Sequence, residues 1–191
     1  MKTYSFAVTS FVLSLALLSG VIPVLAQSAK PPAVGDTAPE FALAGLDGKP
    51  VKLSELREDG PVSLVVLRGF PGYQCPLCTK QVGDLMASAD EFAKLKTTVV
   101  LIYPGSAKGL NTQAKEFLGS REFPANFRFL LDPDYKLTNA YGLRWDAPRE
   151  TAYPSSFAID RDGKVTFAQI SKSHGGRVSA KDLLKGLTAA K

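Results

Sequence analysis

The chain has 191 residues, 45% of them hydrophobic and 21% charged, which is ordinary globular composition at a length suited to one domain with a full core. Its net charge of +5 arises from 23 basic residues scattered among 18 acidic ones. No basic stripe or groove is implied, so nucleic acid is not an expected partner. No segment is low in complexity and no period of solenoid length repeats.

The opening "MKTYSFAVTSFVLSLALLSGVIPVLA" is organised differently from everything after it. Lys2 gives a positive start, Phe6 to Leu18 an apolar core, and Gly20 and Pro23 break the helix. Val24 and Ala26 fill the small-residue positions that a signal peptidase reads, so residues 1–26 are expected to be a signal peptide cut after Ala26. Left uncut, the apolar stretch is about long enough to span a bilayer as an anchor; the two breakers and the "VLA" site favour cleavage. The mature protein is therefore expected to be periplasmic or secreted, with no stable membrane insertion. In such a compartment a disulfide can form and persist.

Residues 27–36, "QSAKPPAVGD", read as a linker, and residues 37–191 as one domain. "FALAGLDGKPVKLSEL" reads as two short strands around the turn dipeptide Asp47-Gly48. "VSLVVLRG" is a continuous β-rich run, as expected of a strand buried on both faces. From Leu77 onward Val82, Leu85, Met86, Ala89, Phe92 and Ala93 recur at helical spacing. "TTVVLIYPG" predicts a second buried strand, "NTQAKEFLGSRE" a helix, "FRFLLDPD" a third strand and "YKLTNAYGL" a short helix. "SSFAIDRDGKVTFAQI" predicts a hairpin on Asp162-Gly163, and Ser179 with Asp182 opens a capped helix whose Leu183, Leu184 and Leu187 face inward. Strands alternating with helices and closing on a hairpin predict an α/β fold: a central mixed β-sheet flanked by helices, with an N-terminal β-hairpin.

The only two cysteines, Cys75 and Cys78, lie where the first central strand hands over to a helix. There the free backbone N–H groups and the positive end of the helix dipole stabilise a thiolate and lower its pKa. Pro76 suits the first helical position, which needs no N–H. Cys75 occupies the outer end of the turn and Cys78 lies one turn deeper, so Cys75 is expected to attack and Cys78 to resolve the adduct. A structural staple is the bland alternative, weakened by the short loop it would close. A closed zinc site lacks ligands, since His174 is the only histidine. A Cys-Cys-His Cu(I) site is the remaining metal reading, against which His174 in "SKSHGGRV" is more simply an exposed polar residue. No Gly-rich phosphate loop follows a strand, and no bound cofactor is expected.

The mature chain resembles the thioredoxin-like superfamily and, within it, the peroxiredoxin-like alkyl hydroperoxide reductase/thiol-specific antioxidant (redoxin) family. "VGDTAPEFALAGLDGKPVKLSEL" is similar to that family's opening, "VVLRGFPGYQCPLCTKQVGDL" to its active-site strand, loop and helix, and "YPSSFAIDRDGKV" to its closing hairpin. The resemblance implies a thioredoxin-like fold and two-electron thiol chemistry. The family's peroxidases carry a proline seven residues and a threonine three residues before the attacking cysteine, and an arginine three residues before the phenylalanine of the F-x-I-D strand. Here those positions hold Arg68, Gly72 and Pro154. The Cys-Pro-x-Cys motif is instead similar to that of glutaredoxins and disulfide oxidases.

On that resemblance Pro154 is expected to be a cis-proline beside the cysteines, with the backbone of Tyr153 pairing with an incoming substrate chain. Arg68 is expected to supply a cation near the sulfurs, and Tyr73, with Phe70, to wall the pocket. Trp145 is a candidate lid residue, and Arg144 and Arg149 are candidates for recruiting an acidic substrate. The implied activity is thiol–disulfide exchange through Cys75 and Cys78, with hydroperoxide reduction as the alternative enzyme reading and Cu(I) binding as the non-enzymatic one. The implied partners are a thiol reductant, thioredoxin-like or small, and a disulfide or peroxide substrate.

Overall fold

The computed structural model describes residues 29–188 together with Met1; the expected signal peptide, apart from Met1, and the start of the linker lie outside the described residues. A hairpin of β1 (Ala42–Ala44) and β2 (Pro50–Lys52), with Leu43 opposite Val51, opens the domain. It is followed by α1 (Leu53–Asp59), a helix where the sequence was expected to continue the strand. Leu53 and Leu56 are three apart and both buried, which is one helical face. The end of the expected linker is docked: Gly35 N–H donates to the Val165 carbonyl at 2.8 Å and Ala38 N–H to that of Gly163 at 2.9 Å.

The central sheet contains β3 (Val62–Val66), β4 (Thr98–Gly105), β5 (Phe127–Pro133), β6 (Ser155–Ile159) and β7 (Val165–Ile170) in the order β5-β4-β3-β6-β7. β3 and β5 run parallel to β4, whereas β6 is antiparallel to both β3 and β7. The expected mixed sheet is thus present, with "VSLVV" at its centre and buried throughout.

Period-two alternation sorts the strand side chains into two cores. Val65, Leu67, Val99, Leu101, Tyr103 and Phe129 face the helices α2 (Pro76–Ala87), α3 (Ala89–Lys94), α4 (Leu110–Leu118) and α6 (Ala180–Thr188). Val62, Leu64, Val66, Val100, Ile102 and Leu130 face α1, α5 (Lys136–Ala140) and the N-terminal hairpin. Each fully buried leucine, such as Leu85 on α2, contributes about 1.5–3 kcal/mol. Both cysteines belong to the first core.

The helical period from Leu77 to Ala93 is divided at Ser88, whose N–H donates to the Leu85 carbonyl while its own carbonyl accepts from Glu91 and Phe92. Asn126 Nδ2 donates to the Ala89 carbonyl just beyond the break, at 3.1 Å. At the C-terminal end the expected cap forms: Ser179 Oγ accepts from Asp182 N–H at 3.2 Å and donates to its carboxylate at 2.8 Å. Leu183 and Leu187 are buried, and Leu184 is partly so.

Candidate active site

β3 is central and its last residues run straight into the loop that carries the cysteines. Leu67 N–H continues the ladder by donating to the Ile102 carbonyl at 2.9 Å. Gly69 then passes so close to β4 that a Cβ there would lie 2.0 Å from the Pro104 carbonyl oxygen, at a φ of +74°. Only glycine satisfies both conditions. Before Cys75, Gln74 is pinned by two bonds: its Nε2 donates to the Gln113 carbonyl at 2.9 Å, and its Oε1 accepts from Tyr103 Oη at 3.0 Å.

Cys75 is the N-cap of α2, and Pro76 fills the first helical position. Its Sγ accepts the Cys78 N–H at 3.4 Å, so a free N–H of the first turn points at the sulfur, as the helix-terminus argument requires. Both thiols are free and buried, with Cys75 4% exposed and Cys78 1%. Arg177 Nη2 lies 3.3 Å from Cys75 Sγ and 3.4 Å from Cys78 Sγ.

These contacts drive the two thiols apart in acidity. The hydrogen bond from the Cys78 thiol is the main force pulling Cys75 well below the ordinary thiol range. Burial opposes it, while the Cys78 N–H and Arg177 add to it. Cys78 moves up, first because its hydrogen bond to Cys75 keeps its proton in place and then because it is buried. These contacts favour the charged form at the outer sulfur and the protonated form at the inner one.

Arg177 escaped sequence reasoning because it lies 102 residues beyond Cys75, in the loop between β7 and α6, with no motif around it. Its place in the fold is the one available signal: β7 returns next to β6, and the loop after it falls at the same sheet end as the α2 N-terminus. Arg68, the expected cation, turns away from the sulfurs. It is 3% exposed and donates from Nε to Glu150 Oε2 at 2.7 Å, from Nη1 to Tyr73 Oη at 2.6 Å and from Nη2 to the Arg149 carbonyl at 2.9 Å. Burial opposes its charge, but Glu150 and Tyr73 more than offset that and raise the guanidinium above its ordinary value. What Arg68 offers the cysteines is its backbone N–H, which favours the charged form of Cys78.

The expectation for Pro154 is corrected: no cis peptide bond occurs among the described residues, so Tyr153–Pro154 is trans. Pro154 is buried at the entrance to β6, and its carbonyl accepts from Ser171 N–H at 2.9 Å. Tyr153 is also committed within the chain. Its N–H donates to the Leu143 carbonyl at 2.9 Å and its carbonyl accepts from Ser155 Oγ at 2.8 Å, so the N–H half of the backbone pairing expected with a substrate chain is already taken.

The remaining candidates divide between the site and its frame. Tyr73 is half exposed beside Cys75 and lies under the Arg68 guanidinium, 5.3 Å from centroid. Phe70 packs against the core that holds the cysteines. Trp145 stacks on Tyr153 at 4.8 Å and is tilted against His174 at 5.2 Å. Arg144 binds the carbonyls of Trp145, Glu150 and Thr151 and covers the Tyr135 ring at 4.1 Å, which makes it a frame residue. Arg149 is exposed and enters the network through its carbonyl. His174 Nε2 meets Glu150 Oε1 at 2.7 Å. Among the described residues no group of three or more His, Cys, Asp or Glu converges with metal-ligand geometry, so His174 is placed against Glu150 and not in a ligand set with the cysteines.

Glu150 was not singled out from the sequence. Burial works against its ionisation, but the hydrogen bonds of Arg68 and His174 outweigh this and hold the carboxyl below its ordinary value.

Comparison with known proteins agrees with this architecture. Residues 34–168 match the family model of the AhpC/TSA family. Over 138 residues the chain is 27% identical to peroxiredoxin Bcp of Bacillus subtilis (strain 168), spanning 69% of this chain and 81% of the relative. Over 133 residues it is 29% identical to thiol-disulfide oxidoreductase ResA of Geobacillus thermodenitrificans (strain NG80-2), spanning 70% and 67%. Among solved structures, peroxidoxin BcpB from Mycobacterium tuberculosis aligns with a TM-score of 0.62 at 26% identity, covering 84% of this chain and 99% of that one. Mycobacterium tuberculosis AhpC aligns with a TM-score of 0.65 at 14% identity and speaks to the fold alone. With Cys75 and Cys78 inside the matched segment, the chain is a redox enzyme and belongs to the AhpC/TSA family.

Proposed function

We propose that this chain is an exported thiol–disulfide oxidoreductase that works through Cys75 and Cys78. The observation that carries the reading is one guanidinium nitrogen, Arg177 Nη2, within 3.4 Å of both sulfurs. It favours the Cys75 thiolate and sits where negative charge passes between the two sulfurs during exchange. Cys75 thiolate attacks a substrate disulfide, forming a Cys75–substrate disulfide and releasing a thiolate that takes up a proton. Cys78 then loses its proton and attacks Cys75 sulfur, closing the Cys75–Cys78 disulfide and releasing the second substrate thiol. Two electrons pass from the dithiol to the substrate. A thiol reductant, thioredoxin-like or small, restores the dithiol by the same steps in reverse.

Hydroperoxide reduction is the second reading, and the 4% exposure of Cys75 favours it because so narrow an opening suits a small acceptor. In that case the thiolate takes one oxygen, an alcohol or water leaves, and Cys78 condenses with the Cys75 sulfenic acid with loss of water. Against it stand Gly72, which brings no hydroxyl, and Arg68, whose side chain points to Glu150. A peroxide would find Arg177 alone.

Stopped-flow oxidation of the reduced protein, first by hydrogen peroxide and then by a cysteine-containing peptide disulfide, separates the two. Fast reaction with the peptide and a peroxide rate no better than a free thiolate is the expected result. A peroxide rate orders of magnitude above a free thiolate, lost in Cys75→Ser, makes the enzyme a peroxidase. Export rests on the pattern of residues 1–26 and predicts a mature N-terminus at Gln27, which intact mass of the secreted or periplasmic protein measures directly.

A further inference from the structure

Arg177 has no side-chain anchor of its own. Beyond the two sulfurs, its Nε and Nη1 are buried without a hydrogen-bond partner among the described residues. A guanidinium held in this way goes where its backbone puts it, so the placement of the cation is decided by whatever fixes residues 171–179.

Two of the ties on that loop are local to it and to the strand before it: Gln169 Nε2 donates to the Gly176 carbonyl at 2.8 Å, and Ser171 Oγ bonds the carbonyls of Ser173, at 3.0 Å, and Gly175. A third, from Gln81 Nε2 to the Val178 carbonyl, is long at 3.5 Å. Two short ties reach other parts of the molecule ahead of Arg177: Ser171 N–H donates to the Pro154 carbonyl at 2.9 Å where the loop starts, and His174 Nε2 meets Glu150 Oε1 at 2.7 Å beside the two glycines that lead to Arg177.

Glu150 is 10% exposed and does not move freely, because its second oxygen holds the buried Arg68. Arg68 in turn holds Tyr73, two residues before Cys75. One carboxylate thus links the loop that carries Cys75 to the loop that carries Arg177. Trp145, stacked on Tyr153 and tilted against the His174 ring, limits the swing of the imidazole. Lys80 and Asp84, which share a groove with His174 and Arg177, are paired with each other at 2.6 Å, so Lys80 does not compete for Glu150 nor Asp84 for His174.

We propose that Glu150 and His174 are positioning residues that clamp the 171–179 loop and so hold Arg177 against the Cys75 sulfur. The inference rests on Cys75 being the attacking thiol, and it assigns the tuning of that thiol to a pair of residues that never touch it. The half-exposed side of the imidazole is no obstacle, since the clamp needs only one fixed hydrogen bond and Glu150 supplies an immobile acceptor.

The test follows Cys75 alone, in a Cys78→Ser background, by iodoacetamide alkylation and by thiolate absorbance across pH. Arg177→Met is expected to raise the Cys75 midpoint and, at a pH below both midpoints, to slow alkylation by roughly tenfold for each unit of that rise. His174→Ala is expected to slow it in the same direction by several-fold, and His174→Gln, whose amide nitrogen can take the place of the imidazole nitrogen, to restore most of the rate. Combined with Arg177→Met, His174→Ala is expected to add nothing further, because it acts through Arg177. A wild-type rate in His174→Ala, or a loss that adds in full to that of Arg177→Met, overturns the proposal. Failure of the functional reading looks different: Cys75 in the unsubstituted-loop protein would then titrate and alkylate as an ordinary thiol.

Discussion

Arg177 Nη2 stands 3.3 Å from Cys75 Sγ, a contact made across 102 residues of chain. The same nitrogen is 3.4 Å from Cys78 Sγ, so the cation stabilises the reduced couple whichever sulfur carries the charge. It has no thiolate to stabilise once the disulfide has closed. Stabilising the reduced form makes the disulfide a stronger oxidant. Arg177→Met is therefore expected to lower the reduction potential, by about 30 mV for each 1.4 kcal/mol of stabilisation lost. Equilibration against glutathione redox buffers measures this. An unchanged or higher potential would show that the guanidinium does not act on the thiolate.

The unequal acidity of the two thiols predicts unequal variants. Cys75→Ser is expected to abolish activity and to form no adduct, because the sulfur that remains is 1% exposed and a peptide disulfide cannot reach it. Cys78→Ser is expected to attack a peptide disulfide once and stop as a stable Cys75–peptide mixed disulfide, visible as a single mass increment that dithiothreitol removes. If Cys78→Ser turned over as well as the parent, resolution by Cys78 would be excluded.

Arg68 and Glu150 make a different kind of pair, 2.7 Å apart with side chains 3% and 10% exposed. Removing one member of a buried ion pair strands the other, which typically costs about 3–5 kcal/mol. Glu150→Ala is expected to lower stability by about that amount, and Glu150→Gln by clearly less, because the amide oxygen can still accept from Arg68. Chemical denaturation compares the two. Equal and small losses would mean that the Arg68 charge finds solvent when its partner is removed.

The fold was largely legible in the sequence because its signals are local or periodic. The run "VSLVV" is continuous because both faces of β3 are covered, and the turns at Asp47-Gly48 and Asp162-Gly163 are written in two residues each, with Gly48 and Gly163 at φ of +75° and +84°. α1 was missed because seven residues hold only two buried positions, Leu53 and Leu56, too few for a period to stand out. The cysteine turn was legible for the same reason as the hairpins, since Cys75, Pro76 and Cys78 are neighbours.

The rest of the site was not legible because it is assembled from three segments that meet only in the fold. Arg68 looked like the cation of the site because it is close in sequence, but Glu150 and Tyr73 draw its side chain away. Arg177 fills that role from far along the chain. Pro154 shows the limit of resemblance: the position matches, but the bond is trans and the Tyr153 backbone bonds Leu143 and Ser155. A motif fixes which residue occupies a place, whereas the partners of its backbone depend on the neighbouring strand and loop.

The depressed acidity of Cys75 also fixes how stability depends on pH. In the folded reduced protein the thiol ionises below its ordinary value of 9.0, whereas in the unfolded chain it ionises near that value. Between the two the unfolded state binds more protons, so stability rises with pH. The contribution is fully present above the unfolded value and is lost as pH falls through the folded one. Reduced wild type is thus expected to gain stability relative to reduced Cys75→Ser as pH is raised from about 6 to about 9, by about 1.4 kcal/mol for each pH unit at most. The oxidised protein, whose Cys75 has no proton to exchange, is expected to show no such gain over that interval. Urea denaturation of the three species at a series of pH values tests the sign directly, and parallel stability profiles for reduced wild type and reduced Cys75→Ser would mean that Cys75 is not ionised preferentially in the native state.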